Sequence, residues 1–185
     1  MIDLTAVLEP GDVMAVRTGD SFADKMIRLG AALRGRPNLD NHIVIVHHLD
    51  KANTLWGIEG RPGGVGWVDV SRYNNPYLLA NTTQPKTDEQ REAVCKYAVG
   101  LLGTPYDWDA IIADAMQSIG AGLLWRTRSW QEADGPPAHV VCASLAAYAY
   151  HKVGLTEPTD IRWSRFVTPG DWCRFIIEKE WEKEL

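Results

Sequence analysis

The sequence predicts an α+β domain in which an antiparallel sheet packs against helices. Two observations lead there. The first half carries short β-branched runs separated by turn residues, and the second half carries capped stretches of helical period. A third observation sets the scale. The 185 residues are 45% hydrophobic and 23% charged, which suits one globular domain, so residues 1–185 are expected to form a single unit with a real core.

The elements follow in order. After the turn residues Pro10, Gly11 and Asp12, VMAVR reads as a short buried strand. SFADKMIRLGAAL reads as a helix capped by Ser21, with Phe22, Met26, Leu29 and Leu33 along one side. A polar loop leads into HIVIVHH, a strand by its β-branched content. LDKAN is a turn and TLWGIEG the returning strand. Gly60, Gly63, Gly64 and Gly66 mark a loop before WVDV, a third short strand.

In the second half Thr87 and Gln90 form a capping box ahead of a helix with Ala93, Val94, Tyr97, Ala98 and Leu101 as its apolar face. Gly103 stops that helix. GTPYDWD turns into a further helix near residues 108–124, and the stretch around Trp125 and Trp130, to Pro137, is an exposed insertion. VVCASLAAYAYHKVG is the next helix with the strand leading into it, ended by Gly154. The last helix opens with Thr168 as cap, Pro169 at its first position and Asp171 near the positive end of its dipole.

Charge and cysteine content exclude several classes. A net charge of -5 argues against nucleic acid as a partner, because phosphate binding requires a basic face. Arg28, Arg34 and Arg36 cluster, but Gly35 and Pro37 place them in a solvated loop. The N-terminal MIDLTAVLEPGD has no basic leader and carries Asp3 and Glu9, so it does not read as a signal peptide. No apolar run reaches the ~20 residues of a membrane helix. The cysteines, Cys95, Cys142 and Cys173, are odd in number and widely spaced, which fits neither a disulfide framework nor a zinc ribbon. A reduced, cytoplasmic setting is the resulting expectation.

Cys142 carries the chemistry. A cysteine on its own is an ordinary small core residue. This one falls where the apolar HVV meets the small-residue helix ASLAAYAY. A thiol at a helix N-terminus has its thiolate favoured by the dipole, and its own N–H is placed to meet a developing oxyanion. His42 is the expected base. It shares one strand face with Val44, Val46 and His48, while His47 points the other way. A loop of Leu49 to Ala52 sets Val46 opposite Leu55, Val44 opposite Gly57 and His42 opposite Glu59, with Cβ atoms roughly 5 Å apart. A tighter loop, Lys51-Ala52, would set Arg61 opposite His42 instead. A carboxylate beside the imidazole fixes its tautomer and stabilises the imidazolium, which makes Glu59 the expected third member of a triad.

Other polar residues read as structural. His47 and His48, being adjacent on a strand, point to opposite faces and do not readily share a zinc ion. Cys95 and Cys173 belong to the core. Asp107, Asp109 and Asp114 are helix-start and solvent-face residues. His139 is a rival base, but its spacing from Cys142 would need a tight backbone turn.

These segments resemble the NlpC-type papain-like hydrolases, in their circularly permuted branch typified by YiiX and YaeF. PGDVMAVRTG is similar to that branch's opening strand, NHIVIV to its catalytic-histidine strand, and WGIEGRPGGVGWVDV to the segment that follows. LLGTPYDWDA resembles the glycine-proline-tyrosine motif, VVCASLAAYAY the nucleophile helix and VTPGDW the start of the closing helix. The order His42, Glu59, Cys142 is the permuted one. The resemblance implies a permuted papain-like fold, Cys142 as nucleophile, His42 as base, Glu59 as orienter and Tyr106 in substrate binding. Val141 departs from the acidic or asparagine residue usual before the nucleophile, and Ala143-Ser144 departs from the pattern after it. The Asn-Cys-Glu-His motif of the lecithin:retinol acyltransferase relatives is absent.

The expected function is cysteine-dependent hydrolysis of an amide, ester or thioester through an acyl-cysteine, with no metal or organic cofactor. The expected partner is a small-molecule, peptide or lipid-acyl substrate. A papain-like binding module without useful catalysis and an acyltransferase are the two alternatives.

Overall fold

The computed structural model describes residues 3–19, 41–73, 78–111, 136–158 and 167–181. The helix expected over 21–33, the Arg28–Arg34–Arg36 cluster and the insertion around Trp125 and Trp130 lie outside them. The described residues form an α+β structure. Its sheet has five antiparallel strands: β1 (Val13–Val16), β2 (His42–Leu49), β3 (Leu55–Arg61), β4 (Gly64–Asp69) and β5 (Leu79–Ala80), in spatial order β4-β3-β2-β1-β5. Three helices accompany it: α1 (Asp88–Gly100), α2 (Cys142–Lys152) and α3 (Pro169–Glu178).

Both sheet faces are apolar, which is why VMAV is buried at every position and shows no alternation. On one face Ile43, Ile45 and Ile58 pack against Cys142, Leu145 and Ala146 of α2 and against Trp172 of α3. On the other, Met14, Val44, Val46 and Val68 are covered by Leu4, Leu8, Val70 and Leu78. The alanines of α2 explain its central place. Every residue from Cys142 to Tyr150 is buried, and small side chains let the sheet and two helices approach it together. Trp172 is fully buried and donates its indole N–H to the Ala143 carbonyl at 3.1 Å, so its one polar atom is satisfied.

The helix ends follow local chemistry. Thr87 Oγ1 accepts from the Gln90 N–H, and the Gln90 side chain accepts from the Thr87 N–H. Thr168 and Asp171 make the same reciprocal pair ahead of Pro169. Gly103 and Gly154, just beyond α1 and α2, take the left-handed conformation that glycine adopts without strain. Asp107 accepts from the Ala110 N–H and opens a helical segment over 108–111. Tyr97 departs from its expected place in the core of α1. It stands half-exposed with its ring edge-on to Tyr148.

The glycine-rich loop is a correction. Gly60, Gly64 and Gly66 lie inside β3 and β4, and Arg61 pairs with Gly64 across a tight Pro62-Gly63 turn. The glycines answer crowding from other elements. A β-carbon on Gly64, at φ +100°, would fall 2.9 Å from the Thr104 carbonyl oxygen, and one on Gly66 would fall 3.2 Å from the Arg61 guanidinium.

The Pro10-Gly11-Asp12 turn does more than reverse the chain. Asp12 is fully buried, and its Oδ1 accepts from Lys86 Nζ at 2.9 Å and from Arg91 Nη1 at 2.9 Å. Tyr150 of α2 donates its hydroxyl to the Gly11 carbonyl at 2.6 Å. This buried ionic knot ties the start of the sheet to α1 and α2.

Candidate active site

The N-terminus of α2 is built without a polar cap residue. Val141 occupies the cap position, and Ser144 compensates: its Oγ accepts from the Val141 N–H and donates to the Val141 carbonyl, each at 3.0 Å. Cys142 is therefore the first helical residue, where backbone N–H groups lack intrahelical partners. The segment before it is pinned. Tyr106 and Val140 form a parallel bridge, through the Asp107 N–H to the Val140 carbonyl and the Val140 N–H to the Pro105 carbonyl. The same GTPYD segment is tied to β4 by two bonds of 2.9 Å, Val65 N–H to Thr104 and Gly103 N–H to Val65. One loop thus fixes α2 relative to the β3–β4 hairpin.

His42, the first residue of β2, and Glu59 of β3 are brought together in the register expected of the tighter loop rather than that of the four-residue loop. Val44, rather than His42, lies directly opposite Glu59. The loop runs over Asp50–Thr54, and a bulge between Val46 and His48 shifts the pairing. Asp50 Oδ1 organises that loop by accepting from the Ala52 and Thr54 N–H groups. His42 and Glu59 remain on one face as diagonal neighbours, and their long side chains close the gap to 2.7 Å between Nε2 and Oε2.

Cys142 acts electrostatically on the same imidazole. Burial opposes the charge of His42, but attraction to Cys142, a hydrogen bond with its side chain, and the bond and attraction of Glu59 outweigh it. They push His42 up to about 10 from 6.5. Nε2 is committed to Glu59, so Nδ1 is the ring nitrogen left for the thiol. Burial likewise works against the charge of Glu59. The His42 contact, the Tyr73 hydroxyl and the nearby Arg61 nonetheless hold it below the usual carboxylate range. The site is enclosed: relative exposure is 2% for Cys142, 9% for His42 and 2% for Glu59.

Two further residues close on Glu59. Tyr73, in the short helical turn after β4, donates its hydroxyl to Glu59 Oε2 at 2.7 Å. Arg61 approaches Glu59 Oε1 at 3.2 Å. Arg61 is the residue that the tighter-loop register sets opposite His42, and it shares a face with Glu59 because side chains two apart on a strand do so. Tyr73 carries no signal in the sequence, since only the path of the chain after β4 brings it back.

Tyr106 is buried, 7% exposed, and packs with Ala110 and with Val141, the residue before Cys142, edge-on to Trp108. His139, the rival base, is exposed. Cys95 and Cys173 are buried, and all three cysteines are free thiols. The expectation that His47 and His48 point to opposite faces is overturned by the bulge. Their Nδ1 atoms lie 2.9 Å apart and both rings pack edge-on to Trp67. Among the described residues no group of three or more His, Cys, Asp or Glu is arranged to hold a metal ion. Nor is any described helix long and apolar enough to cross a membrane.

No protein-family model matches the chain, and no curated protein is significantly similar to it. A thiol at a helix start, with its own backbone N–H, together with an imidazole bonded to a carboxylate, is the set of groups that acyl transfer through a covalent cysteine intermediate requires.

Proposed function

We propose that this chain is a cysteine-dependent hydrolase of the permuted papain-like, NlpC-type kind. It would cleave an amide, as in a peptide or cell-wall peptide, or an acyl ester or thioester. The observation that carries the proposal is the buried His42–Glu59 pair, 2.7 Å from Nε2 to Oε2, on an imidazole that also feels the attraction of Cys142.

In this mechanism Cys142 Sγ attacks the substrate carbonyl carbon while His42 holds the thiol proton at Nδ1. The C–N or C–O bond then breaks and Nδ1 delivers that proton to the leaving group. Water, deprotonated by the same nitrogen, attacks the thioester and regenerates the thiol. Glu59 keeps the other proton on Nε2, so that Nδ1 is the exchanging position throughout. The Cys142 N–H assists the oxyanion, and Tyr106 borders the acyl group. The order His42, Glu59, Cys142 supports the permuted assignment. A reducing, cytoplasmic setting suits three unpaired thiols.

The test is turnover of a panel of peptide amides, cell-wall peptides, acyl esters and acyl thioesters, with mass spectrometry to catch an acyl group on Cys142. Turnover that survives in Cys142→Ala removes the assignment. A second reading, a module that keeps the fold without turnover, draws on the near-complete enclosure of Cys142 and His42. Under it, Cys142 reacts with iodoacetamide no faster than Cys95. An acyltransferase would be recognised by capture of the acyl group on an added amine or lipid acceptor instead of water.

A further inference from the structure

Glu59 is the most heavily engaged carboxylate of the site. It is 2% exposed, and three donors from different parts of the chain converge on it: His42 from β2, Arg61 from the end of β3 and Tyr73 from the turn after β4. Two of them, His42 Nε2 and the Tyr73 hydroxyl, share one oxygen, Oε2, at 2.7 Å each. An sp² oxygen offers its two lone pairs in the carboxylate plane. With both filled, the carboxylate has little freedom to rotate away from the imidazole. The Tyr73 ring also stands against the His42 ring, with centroids 5.9 Å apart and planes tilted by 52°. The phenol therefore touches the pair twice, through its hydroxyl and through its ring.

We propose that Tyr73 is a positioning residue: by donating to the Glu59 oxygen that receives His42 Nε2, it holds the carboxylate ionised and aimed at the imidazole. This rests on the reading of His42, Glu59 and Cys142 as the reacting set and adds a fourth member that acts only through Glu59. Arg61 is the cationic counterpart on Oε1. It is half-exposed, so solvent screens it, whereas the Tyr73 hydrogen bond is sheltered and depends less on salt. The charged and titratable groups around this carboxylate are His42, Tyr73, Arg61, Arg72 beside Tyr73, and Cys142 beyond the imidazole. Among them Tyr73 offers a neutral donor, which stabilises the anion without competing with His42 for positive charge.

Tyr73→Phe keeps the ring and removes the hydroxyl. The experiment follows the Glu59 side-chain carboxyl by carbon-13 NMR as pH is lowered, and in parallel the pH dependence of Cys142 alkylation by iodoacetamide. In Tyr73→Phe the Glu59 titration and the acid limb of alkylation should both move to higher pH, by about one unit, the equivalent of one hydrogen bond to a charged group. Site-specific 3,5-difluorotyrosine at Tyr73, a stronger donor, should move both to lower pH, and it keeps the test intact if Tyr73→Phe fails to fold. A Glu59 titration unchanged in the folded variants overturns the proposal. Neither readout needs a substrate. A shifted Glu59 titration without turnover in the wild type therefore sinks the hydrolase reading and leaves Tyr73 standing.

Discussion

Gly60 and Cys142 meet backbone to backbone: a β-carbon built on Gly60 falls 3.1 Å from the Cys142 amide nitrogen and 3.3 Å from its Cα. Strand β3 thus supplies the Glu59 carboxylate and, one residue later, abuts the start of α2. The two contributions cannot be separated, because consecutive strand residues present opposite faces.

Gly60→Ala should damage the site more than the fold. The added methyl meets backbone, which cannot rotate aside, so β3 or α2 must shift. A stability loss of about 1–3 kcal/mol is expected, the usual cost of overpacking. Displacing Cys142 by a fraction of an ångström should slow its reaction with an acyl substrate by ten- to about a hundredfold. Thermal melting alongside a single-turnover assay separates the two effects.

Cys142→Ser and Cys142→Ala should each lower hydrolysis by at least about a hundredfold, the scale of general-base assistance, with little change in melting temperature. Serine preserves shape but is a poor nucleophile in a site built for a thiolate. Cys95→Ser should instead affect stability before activity, since Cys95 packs against β2 with its thiol towards the Val46 carbonyl. Melting curves and rates on several acyl substrates check both.

Alkylation should discriminate between the thiols. Burial pushes Cys95 up to about 11, which leaves very little thiolate at neutral pH. Cys142 has the imidazole beside it. Brief iodoacetamide treatment of folded protein at pH 7, read by peptide mass spectrometry, should label Cys142 first. Equal labelling of Cys95 would leave the non-catalytic reading.

His42 should keep its proton through neutral pH and release it near 10. A histidine freed by unfolding titrates near 6.5. The folded value lies above the unfolded one, so this group's stabilisation is complete below about pH 6.5 and is lost as pH rises through about 10. Ring-proton NMR of His42 follows the titration directly. Glu59→Gln removes one of the two partners that raise His42, so the release should move to lower pH.

Asp12→Ala should be strongly destabilising, by about 3–5 kcal/mol, because it strands the Lys86 ammonium and part of Arg91 without their carboxylate. Lys86 Nζ is wholly enclosed, and burial already disfavours its charged form. Denaturant midpoints measure the loss.

Much of the scaffold was legible because its signals are local. Helix caps at Thr87 and Thr168 depend on residues three apart, and glycine at positions 103 and 154 on one backbone conformation. The placement of Cys142 at a helix start followed from an apolar strand-like run giving way to alanines. His42 and Glu59 were legible as members of facing strands. Of the two registers left open for that hairpin, the one that sets Arg61 opposite His42 holds at the site, and a bulge beside His47, invisible to the period of two, selects it. The glycines of the β3–β4 hairpin misled for the opposite reason. They read as loop residues locally, yet Gly60 and Gly64 each abut backbone far along the chain, at Cys142 and Thr104, and only Gly63 stands in the turn itself.

By itself, then, the sequence determined the strands at VMAV, HIVIVHH and LWGIEG, the helix starts at Asp88, Cys142 and Pro169, and which side chains offer a thiol, an imidazole and a carboxylate. These properties reside in periodicity, capping and side-chain chemistry, over a few residues at a time. Only the tertiary structure decided that His42 reaches Glu59 diagonally, that Tyr73 and Arg61 close on the same carboxylate, and that Gly60 gives way to Cys142. It also decided that Asp12 is sealed in with Lys86. Each of these depends on distances between residues far apart in the chain. Such distances are set by bulges, loop paths and the packing of two apolar sheet faces, none of which any single stretch encodes.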